Sequence, residues 1–210
     1  GEEPSTSHSA QSFTSSSNNS IGFYYGGYSQ SGYNDKMNVF FYENKTWMEI
    51  DPHPDLDSRY WSAMTYDSHT DSVWIFGGRG GGNPSRRDDL FQFNFTQGWK
   101  KHPEITTPYN TRDQPLMTIT PNGTDIFMAL GRYSSGGGGS TYLHDLWNYD
   151  ILSETWTEIT NDLDVRTDAG GILHFRNDTK DLILAMGFDG NNELNNTYII
   201  NITDGTADRK

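Results

Sequence analysis

The 210-residue sequence contains no cysteine. Disulfide bridges, thiolate metal sites and cysteine nucleophiles are therefore excluded. Positive charge is also scarce: 15 Lys and Arg stand against 28 Asp and Glu, a formal net charge of −13. A broad nucleic-acid interface needs clustered cations, and so does an anionic membrane surface, so the balance disfavours both and suits plain solubility. No apolar run approaches the length of a transmembrane helix, and no signal-peptide pattern opens the segment; direct membrane insertion is not expected of it. Hydrophobic residues make up only 33% of the chain, and no amphipathic helical pattern of ordinary length is present.

What the chain does have is aromatic residues, 14% of the total, together with 22 glycines. Large rings bury much area each, so a sparse apolar pattern can still build a core. The glycines recur in order. An apolar run closes on glycine at Ile21-Gly22-Phe23-Tyr24-Tyr25-Gly26-Gly27, at Val73-Trp74-Ile75-Phe76-Gly77-Gly78, at Ile126 to Gly131 and at Leu182 to Gly187. The steps from Gly26 to Gly77 to Gly131 to Gly187 are 51, 54 and 56 residues. A period of this length means stacked similar units that bury their faces against one another.

Each unit reads as four strands. In the second, Ser62 to Tyr66 precedes a polar turn, Val73 to Phe76 ends on the glycine doublet, Asp89 to Phe93 alternates as a half-buried strand, and the fourth strand contains Trp99. An aromatic residue on the third strand precedes a Trp by six or seven residues: Phe41 and Trp47, Phe93 and Trp99, Tyr149 and Trp156. That spacing crosses a tight hairpin and returns both rings to one neighbourhood, for packing between sheets. In this glycine doublet, spaced Tyr and spaced Trp the chain resembles kelch repeats, from about Ser5 to Thr203, and best through Leu143 to Asp150 and Trp156. The resemblance implies an all-β, kelch-type β-propeller with four four-stranded antiparallel blades, at about 5–52, 58–105, 111–160 and 166–205. Three departures are visible: Gly131 and Gly187 stand single, the fourth copy has no Trp, and its fourth strand reads as weak or missing after Asn201. Kelch propellers usually carry more than four blades and propellers run from four to eight, so a partial ring is expected, completed by further blades or by another chain.

Seven Asn-x-Ser/Thr triplets occur without an intervening Pro, at Asn18, Asn44, Asn94, Asn122, Asn177, Asn195 and Asn201. A chain this rich in Asn, Ser and Thr would carry roughly three or four by chance. Asn18, Asn122 and Asn177 precede the repeat glycine by 8, 9 and 10 residues, in the first hairpin turn of three blades, and Asn44 lies in the turn before Trp47. Exposed turns can carry a glycan, although turns also favour Asn for its own sake. Arginines recur ahead of the first strand: Arg59, Arg112 and Arg166 precede their glycines by 18, 19 and 21 residues. Two roles are open to them. They can grip a carboxylate of a partner by bidentate hydrogen bonds, as the resemblance implies for kelch propellers that bind acidic peptides, or tie one blade's loop to the next blade's backbone. The first copy has His8 and no Arg there.

Other candidates for chemistry are weak. The glycine-rich stretches Gly78 to Gly82 and Gly136 to Gly139 lack the strand-to-helix context and the Lys of a phosphate loop, and read as mobile surface loops. The six His, at 8, 53, 69, 102, 144 and 174, show no paired metal-ligand spacing. No metal or cofactor is expected. Galactose oxidase resembles this fold but needs a Tyr crosslinked to Cys, and the sialidase repeat motif is absent. The expected function is thus a non-catalytic protein-interaction or structural module of a secreted or cell-surface glycoprotein, meeting a protein or acidic peptide through Arg59, Arg112 and Arg166 on its loop face. An intracellular kelch adaptor in the cytoplasm is the first alternative. A propeller enzyme or carbohydrate-binding lectin, marked by a compact cluster of Arg, Tyr and acidic side chains, is the second.

Overall fold

The computed structural model describes residues 11–14, 21–29, 32–82, 85–106, 111–134, 140–165, 170–189 and 191–210. Among them no helix is present; every regular element is a strand. Blade 1 holds β1 (Gln11–Thr14), β2 (Ile21–Tyr25), β5 (Met37–Phe41) and β6 (Thr46–Ile50), with the ribbon β3 (Tyr28–Ser29) and β4 (Gly32–Tyr33) inserted before β5. A link strand, β7 (Arg59–Tyr60), leads to blade 2: β8 (Ala63–Asp67), β9 (Ser72–Phe76), β11 (Leu90–Asn94) and β12 (Gly98–His102), with β10 (Arg79–Gly80) paired to β7. Blade 3 holds β13 (Leu116–Ile119), β14 (Asp125–Ala129), β17 (Leu146–Asp150) and β18 (Thr155–Thr160), with the ribbon β15 (Arg132–Tyr133) and β16 (Thr141–Tyr142). Blade 4 is β19 (Ile172–Arg176), β20 (Asp181–Phe188), β21 (Glu193–Asn201) and β22 (Ala207–Arg209). All four blades are antiparallel meanders. The fourth strand missing from the sequence reading of the last blade is therefore present as β22. It is short and carries no large apolar residue, so its pattern is silent.

Strand alternation sends successive side chains to opposite faces of each blade, and three apolar clusters result, one per blade junction. From β9, Val73 and Ile75 pack with Phe23, Tyr25, Met37 and Val39 of blade 1. Trp74 and Phe76 of the same strand pack with Met117, Ile126, Met128 and Tyr149 of blade 3. The third junction sets Phe127, Ala129 and Leu146 against Leu173, Phe175, Leu182 and Leu184, with the Phe127 and Phe175 rings stacked at 5.7 Å. The innermost strands touch in chain order, β1 to β8 to β13 to β19.

The repeated Trp makes a junction bond as well as a packing contact. Trp99 Nε1 donates to the carbonyl of Asp51 (2.7 Å), and Trp156 Nε1 to that of Pro103 (3.0 Å), in each case just past the last strand of the preceding blade. Trp47 holds the equivalent place in blade 1 and packs on Phe40 at 4.8 Å; among the described residues no carbonyl accepts from it. At the other end, Ile172 (54% exposed) lies on the face of blade 4 turned away from blade 3. Both end faces are thus built like inner ones.

The glycine doublet marks the place where the next link crosses. The Gly27 amide donates to Arg59 O and the Gly78 amide to Arg112 O, both at 2.9 Å. A Cβ on Gly77 would lie 2.8 Å from Arg112 O, and φ there is +64°, so only glycine fits without strain. The structure also corrects the alignment of copies 3 and 4. Leu130 (φ 60°) and Met186 (φ 60°) stand where Gly26 and Gly77 do, and Gly131 and Gly187 match Gly27 and Gly78. It is the first glycine that is replaced, by residues held in the left-handed conformation at a cost of about 1 kcal/mol each.

Candidate functional site

A four-stranded meander puts its first-to-second and third-to-fourth turns on one edge. Its second-to-third loop, with the links between blades, lies on the other. Each blade therefore has a turn face and a loop face. Contacts between blades agree with this division: the turn glycine Gly123 lies against Asp67 and His69 of the neighbouring blade's turn, and the loop glycine Gly78 against the following link.

Arg59 and Arg112 lie on the loop face, but both are wholly buried. Arg112 Nη1 donates to Leu130 O (3.0 Å), and its two Nη atoms hold both carboxylate oxygens of Asp145 at 2.7 and 2.8 Å. Arg59 repeats this arrangement with Gly77 O and Asp89, and adds the carboxylate of Asp57. Burial pulls the Arg59 pKa down, yet Asp89 and Asp57 beside it hold it above the ordinary arginine value. The backbone carbonyls of these same arginines receive the preceding blade's glycine amide. They are the ties between blades, and the contact with a partner expected of Arg59 and Arg112 is corrected on that ground: their guanidinium donors are committed inside the protein. Arg166 falls outside the described residues, as do His8 and Asn18.

The accessible chemistry of the loop face lies beside them, where blades 1 and 2 meet. Tyr28 and Tyr33, each 39% exposed, stand 5.3 Å apart on the β3–β4 ribbon. Tyr33 stacks on Tyr60 of the link at 5.4 Å, and Tyr60 leans on Trp61 at 4.5 Å. Trp61 has φ 58°, as does Gln114 two residues after Arg112, so each link turns through a left-handed residue two positions past its arginine. The Arg132 guanidinium lies over the Trp61 ring at 5.1 Å. Arg132 and Arg86 both hold the fully buried Asp113, each through an Nε contact of 2.9 Å. Arg79, strand-paired with Tyr60, makes no ion pair among the described residues. Two guanidinium groups thus share one carboxylate with Arg79 nearby, a local positive surplus in a chain of net charge −13. Burial, reinforced by Arg132 and Arg79 and opposed by Asp113, lowers the Arg86 pKa. Sequence reasoning missed this patch because its rings come from two separate segments, Tyr28 to Tyr33 and Tyr60 to Trp61. The signal available was the Tyr-rich stretch directly after the first glycine doublet. The loop read as mobile is tied here through β10.

The other expected features fall as follows. Among the described residues no cluster of three or more His, Asp or Glu could hold a metal ion. His102 is buried between Tyr149 and Gln92, its Nδ1 2.9 Å from the tyrosine hydroxyl, and burial pushes its pKa down to about 4. It is a neutral packing histidine. Asn44, Asn94, Asn122, Asn177 and Asn201 all sit at the turn face, and Asn195 lies exposed within β21. No helix among the described residues is long and apolar enough to cross a membrane.

Four blades of antiparallel meander with glycine at each second-strand end, and Trp bonds from blade 2 to blade 1 and from blade 3 to blade 2, define a kelch-type β-propeller unit. The chain belongs to the kelch-repeat family: the model of the KLHDC2/KLHL20/DRC7 Kelch-repeats domain matches residues 3–207. Its fold is similar to the solved structure of YjhT, with a TM-score of 0.74 at 15% sequence identity, over 96% of this chain and 68% of that one. At this identity the likeness shows the fold. No curated protein matches the chain.

Proposed function

We propose that this kelch-repeat chain is a non-catalytic protein-interaction module of a secreted or cell-surface glycoprotein. In this reading its contact site is the aromatic and arginine patch on the loop face, not Arg59 and Arg112. The observation that carries it is the half-exposed row Tyr28, Tyr33 and Tyr60 beside Arg79, which makes no ion pair among the described residues. Aromatic rings and arginine are the residues that dominate protein contacts when desolvated. The local positive surplus suits a partner segment bearing carboxylates. The end face of blade 4, built like an inner one with Ile172 54% exposed, supports a larger ring completed by further blades or another chain.

The same cluster of Arg, Tyr and a carboxylate favours a second reading, a carbohydrate-binding lectin. The double variant Tyr33→Ser/Arg79→Ser tests the first. It leaves the buried ties intact, so the fold is expected to be unchanged by circular dichroism. Proteins retained by the immobilised wild type from the secreted fraction of the source cells should be lost by at least tenfold on the variant. Equal retention would remove the patch from the contact site, and retention competed by free saccharide would turn the reading to the lectin.

A further inference from the structure

Asparagine is common in the irregular segments of both faces, but sequons are not. Among the described residues Asn44, Asn94, Asn122, Asn177 and Asn201 stand on the turn side, and each opens an Asn-x-Ser/Thr triplet. Between second and third strands, or between blades, the described residues include Asn34, Asn161, Asn191 and Asn192, and none opens a triplet. Asn83 is followed two residues on by Ser85, but Pro84 between them blocks the triplet. A preference of turns for Asn would enrich both faces alike. It does not put the third-position hydroxyl on one face alone.

Local folding uses that hydroxyl at two of the sites, where Thr46 Oγ1 donates to Asn44 Oδ1 (2.6 Å) and Thr124 Oγ1 to Asn122 Oδ1 (3.1 Å), but not at Asn94 and Asn201. At Asn94 and Asn201 the side-chain oxygen accepts the backbone N–H of Thr96 and Thr203, each at 2.8 Å. Any residue but Pro supplies that donor. Among the described residues the hydroxyls of Thr96 and Thr203 have no partner. Asn44, Asn122, Asn177 and Asn201 are exposed. Asn94 differs: its amide nitrogen donates to Thr70 O at 2.7 Å. Asn195 differs again: it lies within β21 at the bulge opposite Met186, exposed, and not in a turn.

We propose that the chain carries its N-glycans on the turn face alone and leaves the loop face bare, so that a protein partner can approach only from the loop side. This rests on the secretory reading above. In the modification the side-chain amide nitrogen forms a bond to the anomeric carbon of a lipid-pyrophosphate-linked oligosaccharide. The carbon–oxygen bond to pyrophosphate breaks, the lipid pyrophosphate leaves with that electron pair, and the amide gives up one proton. Asn44, Asn122, Asn177 and Asn201 are the principal acceptors, Asn94 a lesser one, and Asn195 stays unmodified.

Site-resolved mass spectrometry of protein from its native source tests the distribution, and trypsin, itself a protein, tests the shielding. Lys45 and Lys180 flank sequons on the turn face, and Arg79 lies on the loop face. The expected result is occupancy at the four exposed turn sites with Asn195 bare. Enzymatic glycan removal from the folded protein should then speed cleavage after Lys45 and Lys180 at least threefold and leave cleavage after Arg79 unchanged. Glycan on Asn195 to the same extent as on the turn sites, or equal acceleration after Arg79, would overturn the one-face assignment while the secretory reading stood. Absence of glycan at every site would overturn both.

Discussion

Replacing Arg112 by Ala should lower the stability of the fold by about 3–5 kcal/mol, the usual result of removing one partner of a buried ion pair. The loss has two parts. Among the described residues Asp145 is left with only Trp147 Nε1 to donate to it, at 2.8 Å. Leu130 O, buried at the joint between second strand and loop, loses its side-chain donor. The carboxylate's desolvation is the larger of these, because a lone buried charge has no compensating attraction. Arg112→Lys should recover only part of the loss, since one ammonium cannot bind two carboxylate oxygens and a carbonyl in the planar fork that arginine offers. A double variant, Arg112→Met/Asp145→Leu, should be closer to wild type than Arg112→Ala. Urea unfolding followed by circular dichroism checks all three. A loss below about 1 kcal/mol for the alanine variant would mean that the pair is solvated and that Arg112 is available to a ligand after all.

The second large effect concerns Trp74. It is fully buried in β9, between blades 2 and 3, with the His102 ring at 4.6 Å and Tyr149 at 6.2 Å. Trp74→Ala should cost about 3–5 kcal/mol through lost burial and the cavity left behind. Trp74→Phe should cost much less, about 1 kcal/mol or below. The indole N–H of Trp74 is buried without an acceptor among the described residues, and phenylalanine removes that unpaired donor along with the volume. The same unfolding measurement separates packing from polarity. Equal losses for the two variants would show that the indole nitrogen has a partner that matters.

These two residues also show what the sequence made legible. The blades were readable because each rests on local signals: glycine at a left-handed joint, alternation in short strands, and an aromatic and Trp pair across a hairpin. Two of the three departures, the single glycines and the absent Trp, were visible, while the fourth strand read as weak or missing is present as β22. The alignment of the single glycines was not visible, because nothing in a sequence says that Leu130 and Met186 take up the left-handed backbone of a missing glycine. The arginines show a harder limit. Their recurrence was plain, and so were both roles open to them. Which role holds is decided by Asp89 and Asp145, 30 and 33 residues further along, and by the direction in which a buried side chain points. The aromatic patch was invisible for a related reason: Tyr28 and Tyr33 meet Tyr60 and Trp61 only once β3, β4 and β7 are folded beside one another. The sequons were legible as a motif, while their confinement to one face needed the strand order.

The central claim, a kelch-repeat interaction module made in the secretory pathway, is tested most directly by intact mass before and after enzymatic removal of N-glycans, on protein from its native source. The account predicts a loss corresponding to several glycans. An unchanged mass would contradict it, leave the turn asparagines unmodified, and make a cytoplasmic kelch adaptor the better description of this chain.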